Sequence, residues 1–151
     1  PALKWPNDVQ IQGRKVAGIL TESRSSRNRL KNSTIGIGVN VHVAESEFPV
    51  ELRDIATSVQ AAGAYVKRVD LLGEILTQLN DVSNWSTADL LSTWRGKCRQ
   101  WGHRVRAESG QATTEGMAID LADDGAFVIE DDDGIRFSVY SGEVSSLRTI
   151  T

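Results

Sequence analysis

The stretch "KWPNDVQIQGRKVAGIL", which runs from Lys4 to Leu20, decides the fold of the first part of the chain. Two short runs of alternating residues, 9–11 and 15–23, lie on either side of Gly13. Runs of this length around a glycine turn are typical of an antiparallel β-hairpin. The chain is therefore predicted to open with a sheet, and an edge strand is expected from residue 2.

Lys15 is the unusual residue of this hairpin. Side chains alternate between the two faces of a strand, so Lys15 is expected to share a face with Ala17 and Ile19. A lysine on an apolar face needs an anionic partner, because burial of an unpaired ammonium is costly. Two interpretations stay open: Lys15 points into solvent, as most lysines do, or it holds an anion such as a phosphate or a carboxylate on the sheet.

Other polar residues near the hairpin also allow two interpretations. "PND" is a turn signal, so Asn7 and Asp8 are either turn formers or oxygen ligands near a metal-bound phosphate. The segment "RSSRNRLKNS" is interpreted as a solvated loop at the tip rather than a site. It carries four cations, Arg24, Arg27, Arg29 and Lys31.

The next run, "STIGIGVNVHV", predicts a strand over residues 35–43 with two different faces. One face carries only branched apolar residues, namely Ile35, Ile37, Val39, Val41 and Val43. The other carries Gly36, Gly38, Asn40 and His42. Glycines weaken a strand, so either a helix or a flat ligand is expected to approach this face closely. The amide of Asn40 favours a ligand, because it can both donate to and accept from a heterocycle.

Helices follow the sheet. "AESEFPVELRDI" is expected to be a loop, and "ATSVQAAG" one or two helical turns that end at Gly63. Asp70 can cap a helix that continues to about Trp85, with apolar residues at helical spacing. Ser86 is followed three residues later by an aspartate, which resembles a capping box and predicts a second helix to Cys98.

The pattern then changes to four short alternating runs, "HRVRAES", "TEGMAIDLA", "GAFVIED" and "GIRFSVY", separated by glycine turns. Such runs predict a small β-barrel. A domain boundary is placed near Gln100–Gly102, which gives domains 1–100 and 101–151 in an α+β chain with a mixed sheet and flanking helices. From Trp101 onward there are 4 Lys/Arg and 10 Asp/Glu, net −6, whereas residues 1–100 carry 13 and 10, net +3. Nucleic-acid binding by the barrel is therefore not indicated.

The composition is that of an ordinary globular protein. The chain has 151 residues, a net charge of −3 and one cysteine, Cys98. A disulfide framework is excluded, and a reducing cytoplasm is the expected location. No apolar run approaches the roughly 20 residues of a membrane span. The chain starts inside a strand pattern without methionine, so we expect it to be the C-terminal part of a longer protein.

The motifs "KWPND", "GRKVAGIL" and "GIGVNV", in this order and at close spacing, resemble the catalytic core of a biotin–protein ligase. "ATSV", the two helices, "GHRV" and the closing "GEVSSLR" continue the resemblance through the barrel. It implies an N-terminally truncated class II synthetase-like core followed by an SH3-like barrel. The family's glycine- and arginine-rich biotin loop would lie upstream of "KWPND".

The resemblance implies a function. Biotin and ATP, with Mg²⁺, would give biotinyl-5′-AMP, and biotin would pass to a lysine of a carboxylase's biotin carboxyl carrier domain. It implies that Lys15 is the catalytic lysine and also touches biotin, as does Gly18. It further implies a set of nucleotide-binding residues, Asn7, Asp8, Gly38 and Asn40. Asn7 would lie near the metal, and Glu143 and Arg148 would make a contact of the C-terminal domain.

Two other functions remain as alternatives. A lipoate–protein ligase would use the same acyl-adenylate chemistry on a related fold. A non-catalytic module would either bind nucleic acid through the barrel, which the charge of the barrel disfavours, or use the edge of the sheet for dimerisation only. A homodimer is left open as well.

Overall fold

The computed structural model of the protein describes residues 1–26 and 29–147. Its strands and α-helices are, in chain order, β1 (Ala2–Lys4), β2 (Asp8–Ile11), β3 (Arg14–Ser26), β4 (Arg29–Val39), α1 (Arg68–Val82), α2 (Thr87–Lys97), β5 (Arg104–Ser109), β6 (Ala112–Leu121), β7 (Phe127–Glu130), β8 (Arg136–Val139) and β9 (Glu143–Ser146). Two short 3-10 helices, Glu45–Glu47 and Val50–Leu52, interrupt the connection between β4 and α1. The α+β class predicted from the sequence is confirmed.

The chain forms two compact units. The first unit contains Pro1–Ala2 and Asn7–Ile75, and the second contains Leu3–Pro6 and the chain from Leu76 onward. The chain therefore passes from one unit to the other three times: after Ala2, after Pro6, and within α1 after Ile75. The domain boundary placed near Gln100–Gly102 stays a prediction.

The first unit is built on the antiparallel strands β2, β3 and β4. β3 and β4 pair from Ala17 opposite Val39 to Ser26 opposite Arg29. The solvated loop expected over 24–33 is therefore wrong in part, because the two strands continue through most of that segment. Arg27 lies outside the described residues.

β4 also differs from the strand predicted over 35–43. It begins earlier, at Arg29, and ends at Val39, so Val41 and Val43 follow the strand. Val41 is nevertheless buried, with 8% of its surface exposed. The alternating pattern identified residues with a preference for burial there, but not the point at which the strand ends.

A β-bulge at Val16 changes which residues of β3 share a face. Val9 lies opposite Ala17 and Gln10 lies opposite Lys15, so Val16 is the extra residue on β3. Val16 and Ala17 are both buried, with 4% and 8% exposure. A bulge inserts one residue and thereby reverses the alternation across it. The expectation that Lys15 shares a face with Ala17 and Ile19 is therefore wrong.

The helical turn expected before Gly63 is present. The Ser58 hydroxyl accepts a hydrogen bond from the Ala61 amide at 2.9 Å, and the Ala62 amide donates to the Ser58 carbonyl at 2.9 Å. Gly63 ends the turn with φ +87°, a left-handed value that glycine adopts without strain. The sequence therefore predicted both the turn and the residue that ends it.

The two α-helices are those that the sequence predicted, with shifted ends. α1 begins at Arg68, two residues before Asp70, and ends at Val82. Leu72 and Leu76 on α1 are 55% and 57% exposed. α2 is capped by Ser86, whose hydroxyl accepts from the Asp89 amide at 3.1 Å. No helix among the described residues has the length and apolar character that crossing a membrane requires.

The second unit contains a five-stranded antiparallel sheet in the order β8-β7-β6-β5-β9. The four predicted runs are β5 to β8, and the sequence pattern missed β9, which pairs with β5 so that Ala107 lies opposite Val144. Together the strands form an SH3-like barrel. Its core consists of Trp5, Val105, Ala107, Ala118, Leu121, Phe127, Ile129, Val139 and Val144.

Candidate functional site

The partner of Lys15 is Asp8. The Lys15 ammonium lies 2.6 Å from Oδ1 of Asp8, and the two side chains are 46% and 15% exposed. The bulge makes this pair possible, because it turns Lys15 to the face of Gly18, which lies directly opposite Asp8. The lysine of this hairpin therefore has an anionic partner within the chain and also keeps half of its surface open to solvent.

Gly18 accommodates the lysine side chain. A Cβ at position 18 would lie 3.2 Å from both Cε and Nζ of Lys15, and 3.9 Å from Oδ1 of Asp8. A contact of 3.2 Å is tighter than carbon atoms normally make, so a larger residue would push Lys15 away from Asp8. Gly18, the second glycine of "GRKVAGIL", therefore leaves the room that the Lys15–Asp8 ion pair occupies.

The backbone of Lys15 is held on both sides. On one side it lies opposite Gln10 of β2. On the other side, its amide donates to the Ile55 carbonyl at 2.8 Å, and its carbonyl accepts from the Thr57 amide at 2.8 Å. These two bonds form a parallel bridge with Ala56. The main chain at Lys15 is therefore fixed, and only the side chain can change position.

The glycine face next to Lys15 is bare. Gly18 lies opposite Gly38, and Gly36 lies opposite Leu20. A Cβ at Gly38 would meet only the Gly18 carbonyl oxygen, at 4.0 Å, and one at Gly36 only the Leu20 carbonyl oxygen, at 3.7 Å. No helix within the described residues packs closely on these two glycines, so this part of the face is free for another molecule.

Asn7 lies at the edge of this surface. Its Nδ2 donates to the Ile19 carbonyl at 2.8 Å, and its own carbonyl accepts from the Ile19 amide at 2.9 Å. Both bonds fix Asn7 to β3. They leave Oδ1 of the exposed side chain as the atom that could accept from or coordinate a ligand.

Asn40 also makes hydrogen bonds that connect parts of the fold. Its amide donates to the Val16 carbonyl at 2.9 Å, and its Nδ2 donates to the Thr57 carbonyl at 3.0 Å. Its carbonyl accepts from the Val59 amide at 2.9 Å. Asn40 therefore ties the end of β4 to the segment that bridges Lys15, and contact with an adenine stays a prediction.

The residues do not form a dedicated metal centre. No group of three or more His, Cys, Asp or Glu side chains that could hold a metal ion occurs within the described ranges. Asp8 is already paired with Lys15. Mg²⁺ commonly uses one or two protein ligands together with the phosphates of a nucleotide. Asn7 and Asp8 carry oxygen atoms of the kind that such a site uses, and magnesium binding here stays a prediction.

Other residues named from the sequence lie elsewhere. Glu143 is on β9 of the second unit, opposite Glu108. Arg148 lies outside the described residues. Cys98 is buried, and this burial raises the pKa of its thiol, against the opposing effect of backbone hydrogen bonds with Gln100 and Trp101. A thiol with a raised pKa is a weak nucleophile at neutral pH.

Sequence reasoning missed two features of this region. One is the segment Ile55–Thr57, whose bridge to Lys15 joins distant parts of the chain and leaves no local pattern. The other is the stacked pair of His42 and Tyr65, with ring centroids 5.3 Å apart and an interplanar angle of 12°. His42 also has a ring nitrogen 2.8 Å from the Val66 carbonyl oxygen. The aromatic side chain of Tyr65, two residues after Gly63, was the sequence feature that could have indicated this pair.

Comparison with known proteins gives a consistent result. Residues 2–40 match the model of the "Biotin/lipoate A/B protein ligase family", and residues 101–146 match that of the "Biotin protein ligase C terminal domain". The bifunctional ligase/repressor BirA of Bacillus subtilis is 35% identical over 147 residues, which cover 94% of this chain and 45% of that protein. The biotin–[acetyl-CoA-carboxylase] ligase of Mycobacterium tuberculosis is 33% identical over 151 residues, which cover 97% and 53%.

Solved structures agree with these relatives. The biotin protein ligase from Aquifex aeolicus, in complex with biotin and ATP, superposes with a TM-score of 0.76 and 29% identity, over 98% of this chain and 62% of that chain. This chain spans about half the length of the curated relatives it matches. The two family matches lie on the hairpin that carries Lys15 and on the barrel. The chain therefore belongs to the biotin protein ligase family.

Proposed function

We propose that the protein containing this chain is a biotin–protein ligase. It activates biotin with ATP to biotinyl-5′-AMP and pyrophosphate, and then transfers biotin to a lysine of a biotin carboxyl carrier domain. The observation that carries the proposal is the position of Lys15, which is half exposed, packs on Gly18 beside the bare Gly38 and is anchored by Asp8. Relatives that are named biotin ligases over nearly the whole chain support it.

Lys15 supplies the charge that the first step needs. A biotin carboxylate oxygen attacks the α-phosphorus of ATP, and the bond to the pyrophosphate oxygen breaks. Two anions repel each other as they approach, and a fixed ammonium between them offsets that repulsion. A single electrostatic group of this kind is worth about 10²–10³ in rate. Because the Lys15 main chain is fixed on both sides, its ammonium needs only to turn from Asp8 towards the anions.

The bare face supplies the place for the reactants. A nucleotide that lies over Gly38 would contact backbone directly, with Asn40 at one end of the strand and Asn7 on the neighbouring segment. The carboxyl end of biotin would lie near Gly18, on the same face as Lys15. Holding both reactants in contact accounts for much of the remaining rate enhancement in such reactions. Mg²⁺, carried with ATP near Asn7, would supply further charge neutralisation.

The second step joins biotin to the acceptor. The neutral amine of the acceptor lysine attacks the acyl carbon of biotinyl-5′-AMP, AMP leaves with the bonding electron pair, and the amine loses a proton as the amide forms. No covalent intermediate with the enzyme is required. We include in the proposal the cytoplasm as the location, and a domain contact that uses Glu143 and Arg148.

The test uses the natural protein that contains this chain. Biotin-dependent release of pyrophosphate from ATP should fall by about 100-fold or more in Lys15→Ala, with an unchanged circular dichroism spectrum. Lys67→Ala, which removes an exposed lysine of the same unit, is the control and should keep wild-type activity. Equal activity of Lys15→Ala and wild type would remove the role given to this lysine.

A competition assay separates the main alternative. Free lipoate should not compete with biotin for adenylate formation if the protein is a biotin ligase. Preferential adenylation of lipoate would instead favour the lipoate–protein ligase, which the N-terminal family model also includes.

A further inference from the structure

Trp5, in the motif "KWPND", is a core residue of the second unit. Its ring is 6% exposed and lies 5.5 Å from that of Phe127, which is fully buried. Phe127 in turn stacks on Trp101 at 5.2 Å, and Trp101 contacts Trp94 of α2 edge-on at 5.9 Å. The four rings form one aromatic cluster, so a residue from the start of the chain completes the core of the barrel.

Polar contacts fix Trp5 within this cluster. Its backbone amide donates to Oε1 of Gln100 at 2.7 Å, and Gln100 is only 5% exposed. Its indole nitrogen donates to the Gly125 carbonyl at 3.4 Å. A buried amide without a partner is costly, so Gln100 holds the backbone at Trp5 as well as filling space. The main chain and the ring of Trp5 are therefore both held by the second unit.

The chain passes from the second unit to the first at the peptide bond between Pro6 and Asn7. Asn7 is bound to Ile19 by two hydrogen bonds, and the next residue, Asp8, pairs with Lys15. Only Pro6 separates Trp5 from Asn7, and the proline ring restricts its φ angle. A displacement of Trp5 therefore has few rotatable bonds through which it can be absorbed before it reaches Asn7.

We propose that Phe127 and Gln100 are positioning residues for Asn7 and Asp8. They touch neither reactant, and act by holding Trp5 so that the two residues after Pro6 keep their places on β3. The kinetic part of this inference rests on the proposed ligase function, whereas the structural part does not. If Trp5 served the barrel alone, loosening its environment would leave the Asn7–Ile19 bonds unchanged.

The experiment compares two variants in the natural protein that contains this chain. Phe127→Leu removes the ring that contacts Trp5. Val144→Ala opens the same core at β9 and is the matched control, with its melting temperature lowered to a similar extent. Amide hydrogen exchange of Ile19, whose N–H donates to Asn7, is measured at a temperature at which both variants are folded. We expect exchange about tenfold faster in Phe127→Leu and unchanged in Val144→Ala.

Kinetics supply the second measurement. The kcat for biotin-dependent pyrophosphate release should fall about tenfold in Phe127→Leu, with the KM for biotin within about twofold, because a displaced group lowers the rate rather than the binding of biotin. Gln100→Ala should likewise make the exchange of the Ile19 amide faster and lower the kcat. Trp5→Phe, which keeps a ring and the backbone bond, should restore most of what Trp5→Ala loses.

The outcomes are distinguishable. Unchanged Ile19 exchange in Phe127→Leu would overturn the inference, whatever the activity. Faster exchange with an unchanged kcat would overturn the positioning role in the reaction. Absence of adenylate formation in the wild-type protein would overturn the proposed function, and the exchange measurement would still decide whether Phe127 holds Asn7 in place.

Discussion

Replacement of Gly38 by valine tests whether the bare face holds a nucleotide. A Cβ at this position meets only the Gly18 carbonyl oxygen, at 4.0 Å, which is an ordinary contact, and Gly38 does not have the positive φ that requires glycine. Valine also restricts the unfolded chain and favours a strand. We therefore expect Gly38→Val to raise the free energy of unfolding by roughly 0.5–1 kcal/mol, or to leave it unchanged.

Nucleotide binding should respond in the opposite direction. A ring that rests on the backbone at Gly38 would meet the valine side chain directly. Insertion of extra carbons into a filled contact costs about 1–3 kcal/mol. At about 1.4 kcal/mol for each factor of ten, the dissociation constant for ATP should rise roughly 5- to 150-fold.

The assay measures both quantities in the natural protein that contains this chain. Isothermal titration calorimetry gives the affinity for ATP, and thermal denaturation gives the stability. Gly116→Ala is the opposite control, because its Cβ would overlap the Glu130 carbonyl group, with the carbon at 2.8 Å. That variant should lose stability and, where folded, keep its affinity. A Gly38→Val protein that melts early and binds ATP normally would refute the reasoning.

Three further predictions concern charged and titratable groups. Asp8→Asn should lower adenylate formation about tenfold by releasing Lys15, while stability changes by less than about 1 kcal/mol because the pair is partly exposed; a large loss of stability with normal activity would show that the pair is structural. Arg104 holds the pKa of the Asp132 carboxyl below its usual value, so the small stabilisation from this pair is present above the carboxyl's unfolded pKa and is lost as the pH falls through the folded one. Titration of Asp132 by NMR should give a higher pKa in Arg104→Ala, and an unchanged pKa would exclude the pair in solution. Cys98 should react slowly with iodoacetamide at neutral pH and rapidly in urea, as mass spectrometry can follow, because burial raises its pKa; fast alkylation of the folded protein would contradict its burial.

The elements that local pattern controls were predictable. Alternation gave the strands before and after Gly13, and the spacing of serine and aspartate gave the start of α2 at Ser86. The barrel strands β5 to β8 followed from short alternating runs between glycine turns. β9 was missed, because "EVSS" is short and polar and becomes a strand only by pairing with β5.

The arrangement of the site was less predictable, because it depends on non-local pairing. The sequence identified Lys15 and Gly18 as candidates, but alternation placed Lys15 on the wrong face. The bulge at Val16 is set by the register between β2 and β3, which no single residue reveals. The bridge from Lys15 to Ala56 joins residues about forty positions apart, and such contacts need a structure or homologous sequences.

The bulge at Val16 makes the face on which Lys15 lies depend on strand length in a way that substitution would not show. If Val16 were deleted, β2 and β3 could pair without interruption, with Gln10 still opposite Lys15 and Val9 still opposite Ala17. Lys15 would stay on the face of Gly18, because the two residues would then be two positions apart on a regular strand. If Val16 were kept and the bulge were lost, Lys15 would instead turn away from Gly18 and Asp8, although no chemical group of the site had been changed. Active proteins of this type should therefore have either the bulge or a strand that is one residue shorter at this point, even where the side chains at 16 and 17 vary freely among apolar residues.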